Sequence, residues 1–423
     1  MTTTGPVDLV EYLNKYVVSC EKMCISPVMA VKKTVGQAID SGEIPDMMKL
    51  NGTITELRYR RIDDDIVESI FLPMVGMSLF RYIDLSYNEI GNRGAFALAK
   101  VLKDDAAIEV LILRSNNISS EGVISITKSL TYNEKLAHLD LSENPIGDEG
   151  GMAIASLLQI NANIFNLNLS GCSLGATSLI GLSTVLQSNN SVVNLDLSNN
   201  IPSISSRTQT LMNDVMAHLS KTLQLNYGIK VLNLSKFGIT DWSMCDLLAS
   251  AIQSNKNIDT LILSCNKISR DGGIALCNSI MRHSSLNILS LSCCAIQDEG
   301  AEALAQVIRN NSKLKEIYID YNKISSIGLI AIADALKENW AIRFIALWGN
   351  QWDEASCKAF SRLMNGPTSS VCVGGSQAPL LVQQNPRSIP PSARLQSSMT
   401  DVSFYTVETT IHVAHAPKDR RII

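Results

Sequence analysis

The segment LAHLDLSEN, residues 136–144, places Leu139 and Leu141 two apart and follows them three positions later with Asn144. The same shape returns as FRYIDLSYN (80–88), IEVLILRSN (108–116), IFNLNLSGC (164–172), VVNLDLSNN (192–200) and IKVLNLSKF (229–237). It continues as IDTLILSCN (258–266), LNILSLSCC (286–294), LKEIYIDYN (314–322) and IRFIALWGN (342–350). The final positions are spaced by 28 residues, apart from one step of 37 and one of 29. Leucines two apart point the same way from a strand and enter a core. An asparagine carries two amide donors and a carbonyl acceptor, so it can serve backbone groups where the chain turns away. Asn88, Asn116, Asn144, Asn200, Asn266, Asn322 and Asn350 fill this ladder position; Cys172 and Cys294 stand in as small, weakly bonding substitutes.

Ten copies of L-x-x-L-x-L-x-x-N/C predict an α/β fold, a leucine-rich-repeat solenoid. After each ladder position come an apolar residue, a glycine-bearing turn and a helical run such as GAEALAQVI (300–308). One unit cannot bury its own faces, so the units stack. A parallel inner sheet, outer helices and a horseshoe outline are expected, as in the ribonuclease-inhibitor-like length class. Residues 1–50 read as two helices capping the solenoid, split at Pro27. The solenoid then covers 51–365, beginning with a degenerate cap repeat at ITELRYRRID (54–63), where Asp63, Asp64 and Asp65 open a helix. NIPSISSRTQTLMND (200–214), in the 37-residue step, reads as a loop, and Phe237 leaves ladder bonds for water or that loop to make. Residues 366–398 have a disordered linker's Pro, Gly, Ser and Gln content, and the tail 399–423 holds an alternating, strand-like run.

Hydrophobic residues make up 46% but aromatics only 5%, which suits many small aliphatic packing units rather than one bulky core. A formal charge of −4 offers no general attraction to nucleic acid or anionic membrane. No secretory signal opens the chain and no apolar run is long enough to span a bilayer, so its cysteines are expected as free thiols inside a cell. Cys293 and Cys294 adjoin, but no histidine or second cysteine pair accompanies them, so they read as scaffold. His412 and His415 likewise lack companion ligands, and neither a metal nor a cofactor is expected.

His138, Asp140 and Ser142 share one strand face, yet alternate strand residues lie about 6.6 Å apart, too far for a relay. No nucleophile elbow or phosphate loop occurs, so the chain reads as a binding protein and not an enzyme. Its partner surface is expected on the concave face. There Asp140 and Asp196, with Asp84, Glu143, Asn168 and Asn194, form a polar stripe. Ile262, Ile288, Tyr318, Tyr321, Phe344 and Trp348 form an apolar one. The alternative is that the aromatics close the end of the core beneath the tail strand. A monomer with a protein partner is expected.

LSCNKISRDGG (263–273), LSKFGITDW (234–242), the insertion before MAHLSKTL, and above all ALWGNQWDEASCKAFSRLM (346–364) resemble the leucine-rich repeat-containing protein 34 family of animals. The tail DVSFYTVETTIHVAHAP is similar as well, whereas the Ser/Pro linker departs from the pattern. The resemblance implies no catalytic residues. It implies a scaffold of the nucleolus or cytoplasm in germ and stem cells, tied to differentiation and ribosome biogenesis. Alternatives are a component of the motile cilium in tissues such as testis, and a GTPase-activating protein like the Ran regulator, whose acidic tail is missing here.

Overall fold

The computed structural model describes residues 6–42, 46–104, 107–200, 206–364, 402–407 and 410–415. The predicted linker 366–398 lies outside them. The chain divides into two compact units, Met1–Ile229 and Lys230–Ile423. In the first, strands β1 (Met47–Lys49), β2 (Tyr82–Asp84), β3 (Val110–Ile112), β4 (His138–Asp140), β5 (Asn166–Asn168) and β6 (Asn194–Asp196) pair in sequence order, all parallel. Their central residues align as Met48, Ile83, Leu111, Leu139, Leu167 and Leu195, every one buried. The second unit holds parallel β7 (Val231–Asn233), β8 (Thr260–Ile262), β9 (Ile288–Ser290), β10 (Glu316–Tyr318) and β11 (Phe344–Ala346). Antiparallel β12 (Val402–Val407) pairs with β11, and β13 (Thr410–His415) pairs with β12. A helix follows each of β2 to β11, and Asp64–Phe71 follows β1. Adjacent helices touch closely where small residues meet: a Cβ on Gly328 would lie 2.8 Å from Ala301 Cβ.

The ladder asparagines hold successive turns together. Asn144 Nδ2 donates to its own repeat's Leu141 carbonyl at 3.0 Å and to the preceding repeat's Leu113 carbonyl at 2.9 Å. Its Oδ1 accepts the Ile118 N–H at 3.1 Å. Asn116, Asn200 and Asn350 repeat this three-way bond. Cys172 and Cys294 keep a thiol bond to the preceding repeat, to Leu141 at 3.2 Å and Leu263 at 3.6 Å, and Cys172 also reaches its own repeat's Ser170 carbonyl at 3.6 Å. The residue just before the ladder position is left-handed throughout, from φ 49° at Lys236 to 65° at Gly349.

Several expectations need correction. Helices Pro6–Lys22 and Met29–Ser41 do open the chain, but the first strand is β1, ahead of ITELRYRRID. Met48 and Leu50 enter the core, as do Leu57 and Ile62 of that segment, while Tyr59 is 93% exposed. Asp63 does begin a helix, its Oδ1 accepting the Ile66 N–H at 2.9 Å. The supposed loop after β6 is largely helical: residues 206–214 belong to the 20-residue helix Ser206–Leu225, and 201–205 lie outside the described residues. The 29-residue step has an equally local cause. Its helix, Asp241–Ser243 running on to Ala249–Ser254, passes through a π-helical turn at Met244–Leu248, which takes up one extra residue.

Phe237 is buried and brings no side-chain hydrogen bond to the ladder position. Asn266, in the next repeat, makes the usual ladder bonds to it, donating to the Leu234 carbonyl at 2.8 Å and accepting the Phe237 and Ile239 N–H groups at 3.0 and 3.1 Å.

Replacing Asn144 with alanine strips partners from Leu113, Leu141 and Ile118, each a buried backbone group. Urea unfolding should register a loss of about 3 kcal/mol. Asn144→Cys should lose clearly less, since a thiol already holds this position in two repeats.

Candidate interaction surface

On the strand side, the residue ending five of the eleven parallel strands turns back on its own chain. Asp140 Oδ1 accepts the Ser142 N–H at 2.9 Å and the Ser142 hydroxyl at 2.6 Å, and Asp84, Asn168, Asp196 and Asn233 accept from the serine two residues on. These side chains close the turn into the left-handed residue. Asp140 Oδ2 also accepts from Asn168 of the next strand at 3.1 Å. In the polar stripe of the first unit, Asp84, Asp140, Asn168 and Asp196 are half-buried and partly spent on holding the chain, whereas Glu143 and Asn194 are exposed. Ser142 gives its hydroxyl to Asp140, and His138 hydrogen-bonds neither of them among the described residues, so no relay is assembled. Burial lowers the His138 pKa, opposed by Asp140.

The apolar stripe of the second unit is not uniformly exposed as expected. Ile262 and Ile288 are half-buried, but Tyr318, Phe344 and Trp348 are only 8%, 5% and 8% exposed. Tyr318, Phe344 and Ala346 form one buried cluster, with Ile288 packed against it. The Tyr318 and Phe344 rings meet at 5.2 Å, and the Tyr318 hydroxyl donates to Glu316 at 2.8 Å. Burial, with Glu316 beside it, pushes the Tyr318 pKa well up. Tyr321 is half-buried, its ring close over Gly349, where a Cβ would lie 2.1 Å from ring carbon. Of the other tryptophans in this region, Trp340 is exposed, and Trp352 packs on Phe360 and donates to the Leu347 carbonyl at 3.3 Å.

Two further ladders escaped the sequence reading. At the helix-to-strand turns, Asn133, Asn161, Asn189, Asn226, Asn311 and Asn339 each donate to a carbonyl in the preceding repeat's last helical turn. At the helix starts, Asp64, Asn92, Asp148, Asp241 and Asp298 accept two N–H groups from the first turn of the next repeat's helix. This is N-capping carried across repeats. The signal was available: NEKL, NANI, NNSV and NSKL recur with the 28-residue rhythm.

Comparison with known proteins agrees with this architecture. A leucine-rich-repeat family model matches residues 77–99, 108–126, 132–155, 254–277, 282–305 and 310–333. The chain is a leucine-rich-repeat solenoid. No curated protein matches it. Among solved structures, actin-binding site 2 of leiomodin-1 is 22% identical, covers 34% of this chain and 80% of its own, and has a TM-score of 0.27. The tropomodulin C-terminal domain of Caenorhabditis elegans is 14% identical, with 34% and 83% covered and a TM-score of 0.29. Among the described residues, no group of three or more His, Cys, Asp or Glu is placed to hold a metal, and no helix is long and apolar enough to cross a membrane. The side chains of His412 and His415 lie outside them.

One leucine-rich repeat breaks the second ladder. His283 stands where its siblings have asparagine: its Nδ1 accepts from Ser285 and Leu286, and its buried Nε2 faces the Ile252 and Asn255 carbonyls without closing an ordinary bond. Burial, with Lys256 nearby, lowers its pKa below the usual 6.5. The stability this neutral ring lends is complete above about pH 6.5 and is lost as pH falls through the depressed value. His283→Asn should raise stability by about 1 kcal/mol at pH 7.5 and flatten its decline toward pH 5.5, read by thermal melts. Phe344→Ala should cost about 3 kcal/mol, as core truncation does; an unchanged melting temperature would mean the ring sits on a free surface.

Proposed function

We propose that this chain is a non-catalytic protein-interaction scaffold, engaging its partner through the strand side of its repeats. The observation that carries this reading is the pair Ile262 and Ile288. They lie diagonally on hydrogen-bonded strands, half-buried on a rigid sheet, and Ile288 continues into the cluster of Tyr318 and Phe344. Half-exposed apolar side chains held rigidly give a partner area at little entropic cost. In this reading Phe344 packs with Ile288 in that cluster, Tyr321 and the buried Trp348 belong to the same strand side, and Asp140 and Asp196 offer the first unit's polar face to basic groups. A nucleolar place in germ or stem cells, with a part in differentiation and ribosome biogenesis, is supported by the family resemblance of ALWGNQWDEASCKAFSRLM alone.

Proximity labelling in testis should recover nucleolar ribosome-assembly proteins; doublet-microtubule proteins instead would move the chain to the axoneme. Ile262→Arg with Ile288→Arg should reduce capture of the recovered partner at least tenfold while the melting temperature changes little. Undiminished capture would show that the partner sits elsewhere.

A further inference from the structure

We propose that Cys265 and Cys293 form a reversible disulfide, a redox-controlled staple between two successive repeats of the second unit. Each occupies the left-handed residue just before the ladder position, with φ 59° and 57°. The equivalent residues in the other repeats are Tyr87, Ser115, Glu143, Gly171, Asn199, Lys236, Tyr321 and Gly349, so only here do neighbouring repeats both present sulfur.

Register brings the two together. Leu261 pairs with Leu289, and beyond the strands the Cys265 N–H still donates to the Ser292 carbonyl at 2.8 Å. In-register neighbours on paired strands lie about 4.8 Å apart. That falls inside the Cα separation of about 4.4–6.8 Å that a disulfide tolerates. The Cys265 thiol lies within hydrogen-bonding reach of Cys293.

Accessibility sets the order of events. Cys265 is exposed, Cys293 is partly covered, and Cys294 is buried with its sulfur turned to the Leu263 carbonyl. A hydroperoxide therefore meets Cys265 first. The Cys265 thiolate attacks the O–O bond, giving a sulfenic acid and releasing water once the leaving oxygen takes a proton. The Cys293 sulfur then displaces the sulfenic oxygen, which leaves as a second water with the Cys293 proton. Two thiols and one hydrogen peroxide become one disulfide and two waters, with two electrons passing from sulfur to oxygen. Until then Cys293 stays protonated, pushed up to about 11 by burial and by Cys265. A small dithiol reverses the bond.

The test uses the full chain, titrated with hydrogen peroxide, alkylated with N-ethylmaleimide and mapped by mass spectrometry without reduction. A peptide pair joined through Cys265 and Cys293, two hydrogens lighter and released by dithiothreitol, is the expected product. Cys265→Ser should abolish it, Cys294→Ser should leave it intact, and oxidation should raise the melting temperature of the natural chain but not of Cys265→Ser. Cys265 recovered as sulfinic or sulfonic acid, a bond between Cys293 and Cys294, or a link between chains would each overturn the assignment. The mapping of the unsubstituted chain decides this even if a variant fails to fold.

Discussion

The constraint on which this structure depends is that a three-residue strand cannot hold itself in place. Such a strand satisfies few backbone groups, and both its ends turn sharply away from the sheet. Side chains must supply what the backbone lacks, and they do so at three heights along the repeats. The ladder asparagine binds at the strand exit, a carboxylate or amide at the helix start, and a second asparagine at the helix end. Each reaches into the adjacent repeat, so the spacing between repeats is fixed by hydrogen-bond length as well as by apolar packing. The 28-residue period suits this, and the longer steps keep the ladders aligned by taking their added residues into the helix, as the π-helical turn at Met244–Leu248 does.

That explains why the fold could be read from the chain while parts of the surface could not. The leucine pair and Asn144 announce themselves because the same chemistry recurs wherever the same backbone groups need a partner. The departures were legible only as departures. Nine additional residues after Asn200 looked like a loop, since Pro202 and its run of Ser and Thr favour turns; from Ser206 onward they extend a helix. The single residue added before Asn266 gave no compositional sign, because a π-helical turn takes it up within the helix rather than in a separate loop. The first strand was missed because Met48 and Leu50 lack the usual ladder asparagine: Asn88 of the next repeat reaches back to the Leu50 carbonyl at 2.8 Å.

The strand side shows a different limit. Alternation tells which residues face away from the helices, but not whether anything else covers them. Tyr318, Phe344 and Trp348 do face that way, and were read as exposed for that reason, yet they are buried. The aspartates were misjudged in the opposite sense. An acidic residue beside a serine two positions on looks like free surface charge, whereas Asp140 is closing its own turn. For Cys293 the adjacent Cys294 drew attention, though neighbours in sequence on a strand exit diverge; the sulfur within reach lies one full period away, at Cys265.

The ladder also has a direction, and this gives the two ends of the stack different needs. Each asparagine reaches back to the repeat before it, as Asn266 does to Leu234 and Phe237. Among the described residues the last repeat has no successor. Asn350 can complete the turn of Asn322 at 2.9 Å, but β11 would present an unpaired edge, and open strand edges invite pairing with other chains. The antiparallel β12 takes that edge, with Phe404 opposite Ile345, and β13 lies beyond it. A reversal of strand direction suits the purpose, because an antiparallel strand needs no helix-bearing crossover and so ends the repeat instead of extending it. At the other end, β1 follows two helices whose Tyr12 and Tyr16 are wholly buried, and the Tyr12 hydroxyl donates to the Ile70 carbonyl at 3.2 Å. One end is closed by side-chain packing and the other by backbone pairing, as a one-way ladder requires.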